Sequence, residues 1–352
     1  MATLEDIAAA TGFDKSTVSV ALRNLPRASR FSAETRARIH ETAQRLGYRP
    51  NLFAQQLKDK KPRMLMLCVN TLQDPFAMTV AEGFEERAAE HGMRVLITAL
   101  RDRQDPLDLH RDILGVQGVP AMALVGGSRA KLPDESLSRL ADSGVKVMLV
   151  NRHVEHPNIG HVRADERHGG RLVAEHIYQQ GLRDVWVMTG MEGQAFTSRL
   201  EAILDVAAES GADRPLLVEC AGPSWADGAF AAASQQIARR GRLPQAIITV
   251  SDALAYGVAL AVVEAGGVVG RDVAVTGYDD GLFARMFWPP LTTVRMPMAD
   301  LGRHAASGLM RLLDPTQPPP PEVVLPVELI VRKSSQLQPA PHSNPEAINS
   351  QP

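Results

Sequence analysis

The chain reads as a small N-terminal all-α helix-turn-helix domain followed by an α/β body of two doubly wound lobes. Three observations predict this. Charge is split along the chain, a helix-turn-helix pattern fills residues 1–49, and after Pro62 β-rich apolar runs alternate with amphipathic stretches. The 352 residues hold 38 Lys plus Arg against 40 Asp plus Glu, a formal net charge of −2, and are 45% hydrophobic. That apolar fraction supports sizeable cores, and the length suits two to three domains of roughly 150 residues. Two cysteines, Cys68 and Cys220, cannot build a disulfide framework or a four-cysteine zinc site. No apolar run approaches the roughly 20 residues of a membrane span. The opening MATLEDIAAATGFDK lacks the basic-then-apolar order of a signal peptide. A cytoplasmic protein with no membrane partner is expected.

The near-zero net charge hides a division. Residues 1–61 carry eleven Lys plus Arg and six Asp plus Glu, a net +5, which leaves 27 against 34, a net −7, for the remainder. A basic head on an acidic body is what a protein shows when one module meets phosphates and the other does not. A solvated helical surface can also be basic, so charge alone does not decide.

Within the head, Thr3-Leu4-Glu5-Asp6 starts a helix, because a Thr-x-x-Asp pair satisfies amides that the first turn leaves unbonded. This helix is expected to run to about Ala10 and bury Leu4, Ile7 and Ala8. Thr11-Gly12-Phe13 breaks it, Gly12 supplying turn geometry and Phe13 a core anchor. A second helix follows from Lys15 to about Leu22, with Val18, Ala21 and Leu22 inward and Lys15, Ser16, Ser19 and Val20 outward. Ser32 caps a third helix over 33–46, with Ile39, Ala43 and Leu46 spaced for burial and Gly47 at its end. Two short helices around a Gly turn can place the second in a DNA major groove. A generic three-helix unit would show the same spacing.

In the body, strands are expected at 64–69, 94–99, 121–125, 145–150, 185–189, 215–219, 246–250 and 273–277. Helical patterns lie between them, among them 76–91, 166–180, 196–210, 226–240 and 252–265. Continuous apolar strands separated by helices form parallel sheets covered on both faces. Two such sheets make two lobes with a cleft at the carboxyl ends of the strands.

Catalytic signatures are missing from this body. No GxGxxG, GxxxxGK[ST], GxSxG, HExxH or CxxC occurs. His153, His156, His161 and His168 fit no compact metal-ligand spacing and, with Pro157 and Gly160 among them, read as a surface loop. No cofactor, metal or enzymatic activity is expected.

The segments LEDIAAATGFDKSTVSVALRN and SAETRARIHETAQRLGYRPNLFAQQL closely resemble the LacI-type transcription regulators. Thr17-Val18-Ser19, Gly47-Tyr48-Arg49-Pro50-Asn51 and Ala54-Gln55-Gln56-Leu57 match that family's helix-turn-helix, Tyr-x-Pro-Asn segment and hinge helix in order. The loop at Arg27 to Phe31 is about three residues longer than usual, and Arg30 can add a phosphate contact. Further along, Asp74-Pro75-Phe76-Ala77, Val150-Asn151-Arg152, Ser251-Asp252-Ala253-Leu254-Ala255, Val275-Thr276-Gly277-Tyr278-Asp279-Asp280 and Pro289-Pro290-Leu291-Thr292-Thr293-Val294 look like landmarks of the family's periplasmic-binding-protein-like effector domain. The match spans roughly residues 1–333.

The resemblance implies a regulator, a repressor by family habit, that binds double-stranded operator DNA as a homodimer. Its DNA contacts would come from Lys15, Ser16, Thr17, Ser19, Val20, Arg23, Arg30, Asn51, Gln55 and Leu57. Lysine reads guanine acceptors and valine meets a thymine methyl, while Leu57 would wedge into the minor groove from a hinge helix over 51–58 and kink the duplex. A small-molecule effector, expected to be a sugar, would lie between the lobes against Phe76, Asn151, Arg199, Trp225, Ser251 and Asp279. Charged side chains engage neighbouring hydroxyls strongly, and an aromatic face suits the apolar face of a pyranose. Five of the six have a plainer reading: packing for Phe76 and Trp225, a turn for Asn151, a helix-surface charge for Arg199, and a cap for Asp279.

The implied boundaries are 1–49 for the DNA-binding domain, 50–61 for hinge and linker, and 62–335 for the effector and dimerisation domain. Its first lobe would comprise 62–162 and 294–321, and its second 163–293 and 322–335, with crossings near 160–165, 291–296 and 321–325. Residues 336–352 are too polar for a coiled coil and are expected to form a disordered tail. The competing reading is a cytoplasmic carbohydrate-binding protein with no DNA partner, which leaves the basic head without a purpose.

Overall fold

Burial decides where the strands of the body lie. In a computed structural model, which describes residues 2–22, 29–49, 64–100, 119–126, 133–222 and 224–337, the chain separates into the units Met1–Arg63 and Met64–Pro352.

The first unit packs α1 (Leu4–Thr11), α2 (Lys15–Leu22) and α3 (Ala33–Arg45) around Ile7, Val18, Ala21, Ile39 and Ala43. Thr3 and Asp6 cap α1 reciprocally: the Asp6 N–H donates to Thr3 Oγ1 (3.2 Å), and the Thr3 N–H donates to Asp6 Oδ2 (2.8 Å). Gly12, at φ 76°, ends the helix and donates its N–H to the Ala8 carbonyl. The expected burial of Leu46 is not observed. It is the C-cap of α3 and 38% exposed, because the chain leaves the helix there, and Tyr48 packs against the core instead.

Among the described residues the second unit contains two six-stranded sheets. One has the order β11-β5-β4-β3-β1-β2, formed by β1 (Met64–Val69), β2 (Arg94–Ala99), β3 (Ala121–Val125), β4 (Lys146–Val150), β5 (Ile159–Ala164) and β11 (Val323–Leu325). The other has the order β12-β10-β9-β8-β6-β7, formed by β6 (Val185–Thr189), β7 (Leu216–Glu219), β8 (Ala246–Thr249), β9 (Ala274–Asp279), β10 (Thr292–Arg295) and β12 (Glu328–Ile330). Every pairing is parallel except the antiparallel β10–β12 edge. The central strands β1, β3, β4 and β8 are buried almost throughout, as sheets covered on both faces require.

The helices are α4 (Pro75–Glu90), α5 (Asp134–Asp142), α6 (Glu166–Gln179), α7 (Gln194–Glu209), α8 (Trp225–Arg240), α9 (Asp252–Glu264) and α10 (Met298–Leu313). Helices α4 and α10 pack as a pair on the first lobe; α6 with α7, and α8 with α9, pack on the second. No helix among the described residues is long and apolar enough to cross a membrane.

Lobe membership differs from the expected segments by a few residues. Strand β5 stays in the first sheet through Ala164, β10 in the second through Arg295, and β11 returns to the first through parallel pairing of Val323 with Val162. The chain therefore changes lobe after Ala164, after Arg295 and after Leu325. Residues 322–325, assigned from sequence to the second lobe, belong to the first, because ladder hydrogen bonds and not hydrophobic runs define the edge of a sheet. Residues 51–58, with the expected hinge helix, lie outside the described residues. So does the tail beyond Leu337, and Leu337 itself packs against the core.

Candidate functional sites

On α2, Asp14 organises the first turn. Its Oδ1 accepts the N–H groups of Ser16 (2.7 Å) and Thr17 (3.1 Å), and the two hydroxyls also donate to its carboxylate. These bonds, the Ser16 hydroxyl foremost, lower the Asp14 carboxyl to about 2. Lys15 and Ser16 are exposed, while Thr17 and Val20 are half-buried. Lys15 donates to Glu5 Oε1 at 2.6 Å, both side chains being open to water. An exposed pair of this kind contributes at most about 1 kcal/mol, so it can yield to a phosphate.

Ser19 corrects the expectation: only 5% of it is exposed. It sits about 100° around α2 from Val18, at the border of the apolar stripe, and its small side chain is covered by the three-helix packing. Arg30, Arg38, Arg45 and Arg49 are exposed and add positive charge to this unit. Arg23, Asn51, Gln55 and Leu57 lie outside the described residues.

In the second unit, all six residues nominated for the effector stand at carboxyl ends of strands or in the helices that follow them, where open α/β sheets hold ligands. Phe76 opens α4 after β1, Asn151 directly follows β4, Arg199 lies in α7 after β6, Trp225 opens α8 after β7, Ser251 follows β8, and Asp279 ends β9. Their local roles differ.

Asn151 is buried at φ 55°, and its Oδ1 accepts the Ala164 N–H at 2.9 Å. Ser251 is buried and caps α9, its hydroxyl accepting the Leu254 N–H at 3.4 Å. The structure thus gives these two residues the turn and cap roles that their types favour. Phe76 and Trp225 are half-buried against the main core.

Arg199 is not a surface charge. It is 3% exposed, and it donates from Nε and Nη2 to the two Glu166 oxygens (2.6 and 3.0 Å) and from Nη1 to the Val250 carbonyl (2.6 Å). Its guanidinium lies 3.7 Å from the centre of the Tyr278 ring, a cation–π arrangement. Burial opposes the charge on Arg199, but Glu166, the Tyr278 ring and the bonds to Glu166 outweigh it and keep the group protonated. The sequence builds this pair through Gly170: a Cβ there would stand 2.5 Å from the Arg199 carbonyl, so only glycine lets α6 approach α7 closely enough for Glu166 to reach across.

Asp279 behaves differently. Its φ is 126°, a conformation costing of order 1–3 kcal/mol, and its backbone carbonyl accepts the Met296 N–H at 3.2 Å. Among the described residues no hydrogen bond reaches its carboxylate. Burial first, and then the neighbouring Asp252, push its carboxyl well above the usual range, and Asp74 from the first lobe adds to the push. Asp74 is itself raised by burial while its Oδ1 accepts the Phe76 N–H at 3.0 Å. Asp279 is therefore no helix cap, and it lies within electrostatic reach of Asp74 in the first lobe.

The residues that sequence reasoning passed over support this centre. Asp252 accepts the Thr293 hydroxyl (2.6 Å) and the Gly281 N–H (2.8 Å), and burial raises its carboxyl to about 7. Asp280, at φ 52°, accepts from Arg295 Nε (2.8 Å) and Arg332 Nη2 (2.6 Å). Burial pulls the Asp280 carboxyl up, but the two guanidinium bonds hold it below the usual value. Gln194, at the start of α7, ties the lobes together: the His153 N–H donates to its Oε1 (2.7 Å), and its Nε2 donates to the His153 carbonyl (3.0 Å). Asp74 and Asp252 stood inside motifs already noticed, so adjacency to Phe76 and Ser251 was a usable signal. Glu166 and Gln194 carried none, since each acts through a long-range contact.

Of the four histidines, His153 and His156 lie in the expected loop, between β4 and β5, and the other two do not. His161 lies on β5, 8% exposed, with its ring stacked on His153 at 4.2 Å between centroids. His168 lies in α6. No group of three or more His, Cys, Asp or Glu among the described residues has the arrangement of a metal site.

Comparison with known proteins matches both units. Residues 3–51 match the family described as "Bacterial regulatory proteins, lacI family", and residues 174–335 match the "Periplasmic binding protein-like domain". The HTH-type transcriptional regulator GalR of Escherichia coli (strain K12) is 30% identical over 324 residues, covering 89% of this chain and 90% of that protein. The lac repressor dimer bound to operator and the anti-inducer ONPF has a similar fold, with a TM-score of 0.81 at 23% identity, covering 96% of this chain and 99% of that one. The transcriptional regulator CelR in complex with cellobiose follows with a TM-score of 0.66 at 23% identity, covering 95% and 100%. The helix-turn-helix head, the two-lobed body and the near full-length identity with GalR agree: the chain is a transcription regulator of the lacI family.

Proposed function

We propose that this regulator acts as a repressor, binding operator DNA as a homodimer, and that a sugar entering the cleft between the lobes alters its hold on the operator. One observation carries the effector half. Asp279, at the end of β9, has a carboxyl group that no hydrogen bond among the described residues reaches, within electrostatic reach of Arg199 and of Asp74 of the other lobe. A ligand hydroxyl donating to it would make a hydrogen bond that the described residues leave unmade. The sugar complexes among its structural relatives agree with that reading.

On the DNA side, Lys15, Ser16, Thr17 and Val20 would meet base edges or phosphates, and Arg23, Arg30, Asn51 and Gln55 the backbone. The dimer would form through the second lobe. Leu282, Met286 and Trp288 are 78%, 76% and 86% exposed on the β9–β10 connection, and Leu260 and Val263 are exposed on α9. A second copy covering them removes an apolar surface that water disfavours. A regulator acting on operator DNA works in the cytoplasm. By linkage, DNA changes effector affinity by the same factor as effector changes DNA affinity.

Titration of duplex fragments against salt tests the reading. Log K is expected to fall steeply with log salt, in proportion to the phosphates contacted. Flat or absent binding to every promoter fragment would favour a carbohydrate-binding protein with no DNA partner. Leu57→Ala is expected to weaken operator binding more than non-specific binding, because a wedge acts only on the kinked site. Trp288→Asp is expected to raise the monomer fraction in sedimentation.

A further inference from the structure

Treating the cleft as the effector site, as proposed above, leaves the chemical class of its ligand to be decided. Arg199 is a cation that acts on Asp279 in that cleft, and it is already taken. Glu166 holds it through two parallel bonds, with both side chains about 95% buried, and the Val250 carbonyl holds a third N–H. A buried, two-point arginine–carboxylate pair is charge-balanced and costly to open. Asp279 acts on this arginine, and two further acidic groups, Asp252 and Asp74, act on Asp279. Arg295 and Arg332 are held by Asp280. A guanidinium has five N–H donors, so two on Arg199 remain for oxygens of a ligand.

We infer that Glu166 determines specificity in this cleft: by occupying Arg199 it excludes phosphorylated and carboxylated ligands and leaves a site for an uncharged, hydroxyl-rich sugar. An anion entering here would find Arg199 already neutralised by Glu166 and acidic groups beside it, and an anion left without a counter-charge in such a site is disfavoured. Hydroxyls suit both halves of the site, since they donate to Asp279 and Asp74 and accept from the free N–H groups of Arg199.

The test uses the full-length protein at constant ionic strength. Thermal unfolding and calorimetry are measured with pairs of sugars that differ only by a phosphate ester, and separately with inorganic phosphate. The uncharged member of each responding pair is expected to bind at least ~10-fold more tightly than its ester, and inorganic phosphate is expected to stabilise the wild type no more than chloride does. Glu166→Gln is expected to gain a saturable response to phosphate that Glu166→Gln/Arg199→Gln lacks. Asp279→Asn, which leaves the ion pair intact, is expected to gain none.

Esters binding as tightly as free sugars would overturn the inference. So would a wild-type phosphate response that vanishes in the double variant, a folded Glu166→Gln protein that gains nothing, or a gain in Asp279→Asn. If no sugar of either kind binds while the phosphate contrast holds, the sugar reading fails and the role of Glu166 stands. Duplex binding on the same preparations tests the regulator reading separately.

Discussion

Asn151 and Asp279 occupy matching places in the two lobes. Asn151 directly follows the central strand β4 and Asp279 ends the central strand β9, and each is a non-glycine residue at positive φ, 55° and 126°. Asn151 spends its side chain on the fold, accepting the Ala164 N–H and joining the turn after β4 to the end of β5. Asp279 keeps its carboxylate unbonded among the described residues and lies within electrostatic reach of Asp74 in the first lobe. The same backbone strain serves two ends: in one lobe it closes a turn, and in the other it aims an acceptor at the space between the lobes. Strained positions therefore mark where the sheets turn toward a site, but only the partner of the side chain separates support from recognition.

The largest effect expected from breaking this contrast is at Asp279. Asp279→Ala should weaken the responding sugar about 100-fold, matching the loss of one or two charge-assisted hydrogen bonds, while operator affinity stays within about twofold. Calorimetry and gel-shift titration read the two quantities. A surviving effector response would move recognition elsewhere.

Asn151→Ala should do the reverse. It orphans the buried Ala164 N–H and places alanine at positive φ, lowering the urea unfolding midpoint by an amount worth about 1–3 kcal/mol. The choice of sugar should not change. If effector affinity falls as far as it does in Asp279→Ala, the two positions are not different in kind.

A smaller effect is expected at Gln194, whose bonds to the His153 backbone join the lobes. Gln194→Ala should speed sugar release and weaken binding about fivefold, near 1 kcal/mol, with little loss of stability. Stopped-flow release rates would show it, and an unchanged rate would remove Gln194 from closure.

The smallest effect at neutral pH concerns Asp252. Burial raises its carboxyl to about 7 from an ordinary value of 3.8, so the folded protein holds this proton more tightly than the unfolded chain does. The stabilising contribution of protonation is therefore lost as pH rises through about 7 and recovered as pH falls toward 4. Asp252→Asn cannot take the proton, so wild-type stability measured against this variant should rise on acidification and level off below the unfolded-state value. His161, whose ring burial pushes down, works in the opposite direction below about 6.5 in both proteins and cancels in the difference. A flat difference curve would leave Asp252 untitrated in this window.

Much of the fold was legible beforehand. The eight β-rich runs coincide with β1–β4 and β6–β9 to within a residue or two at their ends; the central strands are continuously apolar because both their faces are buried, and the edge strands β2 and β7 carry apolar runs while partly exposed. Strands β5, β10 and β11 carried weaker signals: His161 and Arg163 interrupt β5, and β11 is three residues following a run of prolines. Such edge and crossing strands exist through their neighbours' hydrogen bonds, and no local pattern records those. The candidate site divides the same way. Arg199 and Asp279 stood out by residue type and motif, yet the bidentate bond between Glu166 and Arg199 spans 33 residues and is invisible to spacing.

The split of charge near Pro62, the helix-turn-helix and the alternation of strands and helices were settled by the sequence itself, since each depends on periodicity and composition within a few turns of chain. Tertiary structure alone decided that Ser19 is covered, that residues 322–325 pair with β5, and that Arg199 is neutralised while Asp279 is left open. Those outcomes depend on which distant groups meet in a low-dielectric interior. There a partner's presence or absence outweighs a residue's intrinsic chemistry.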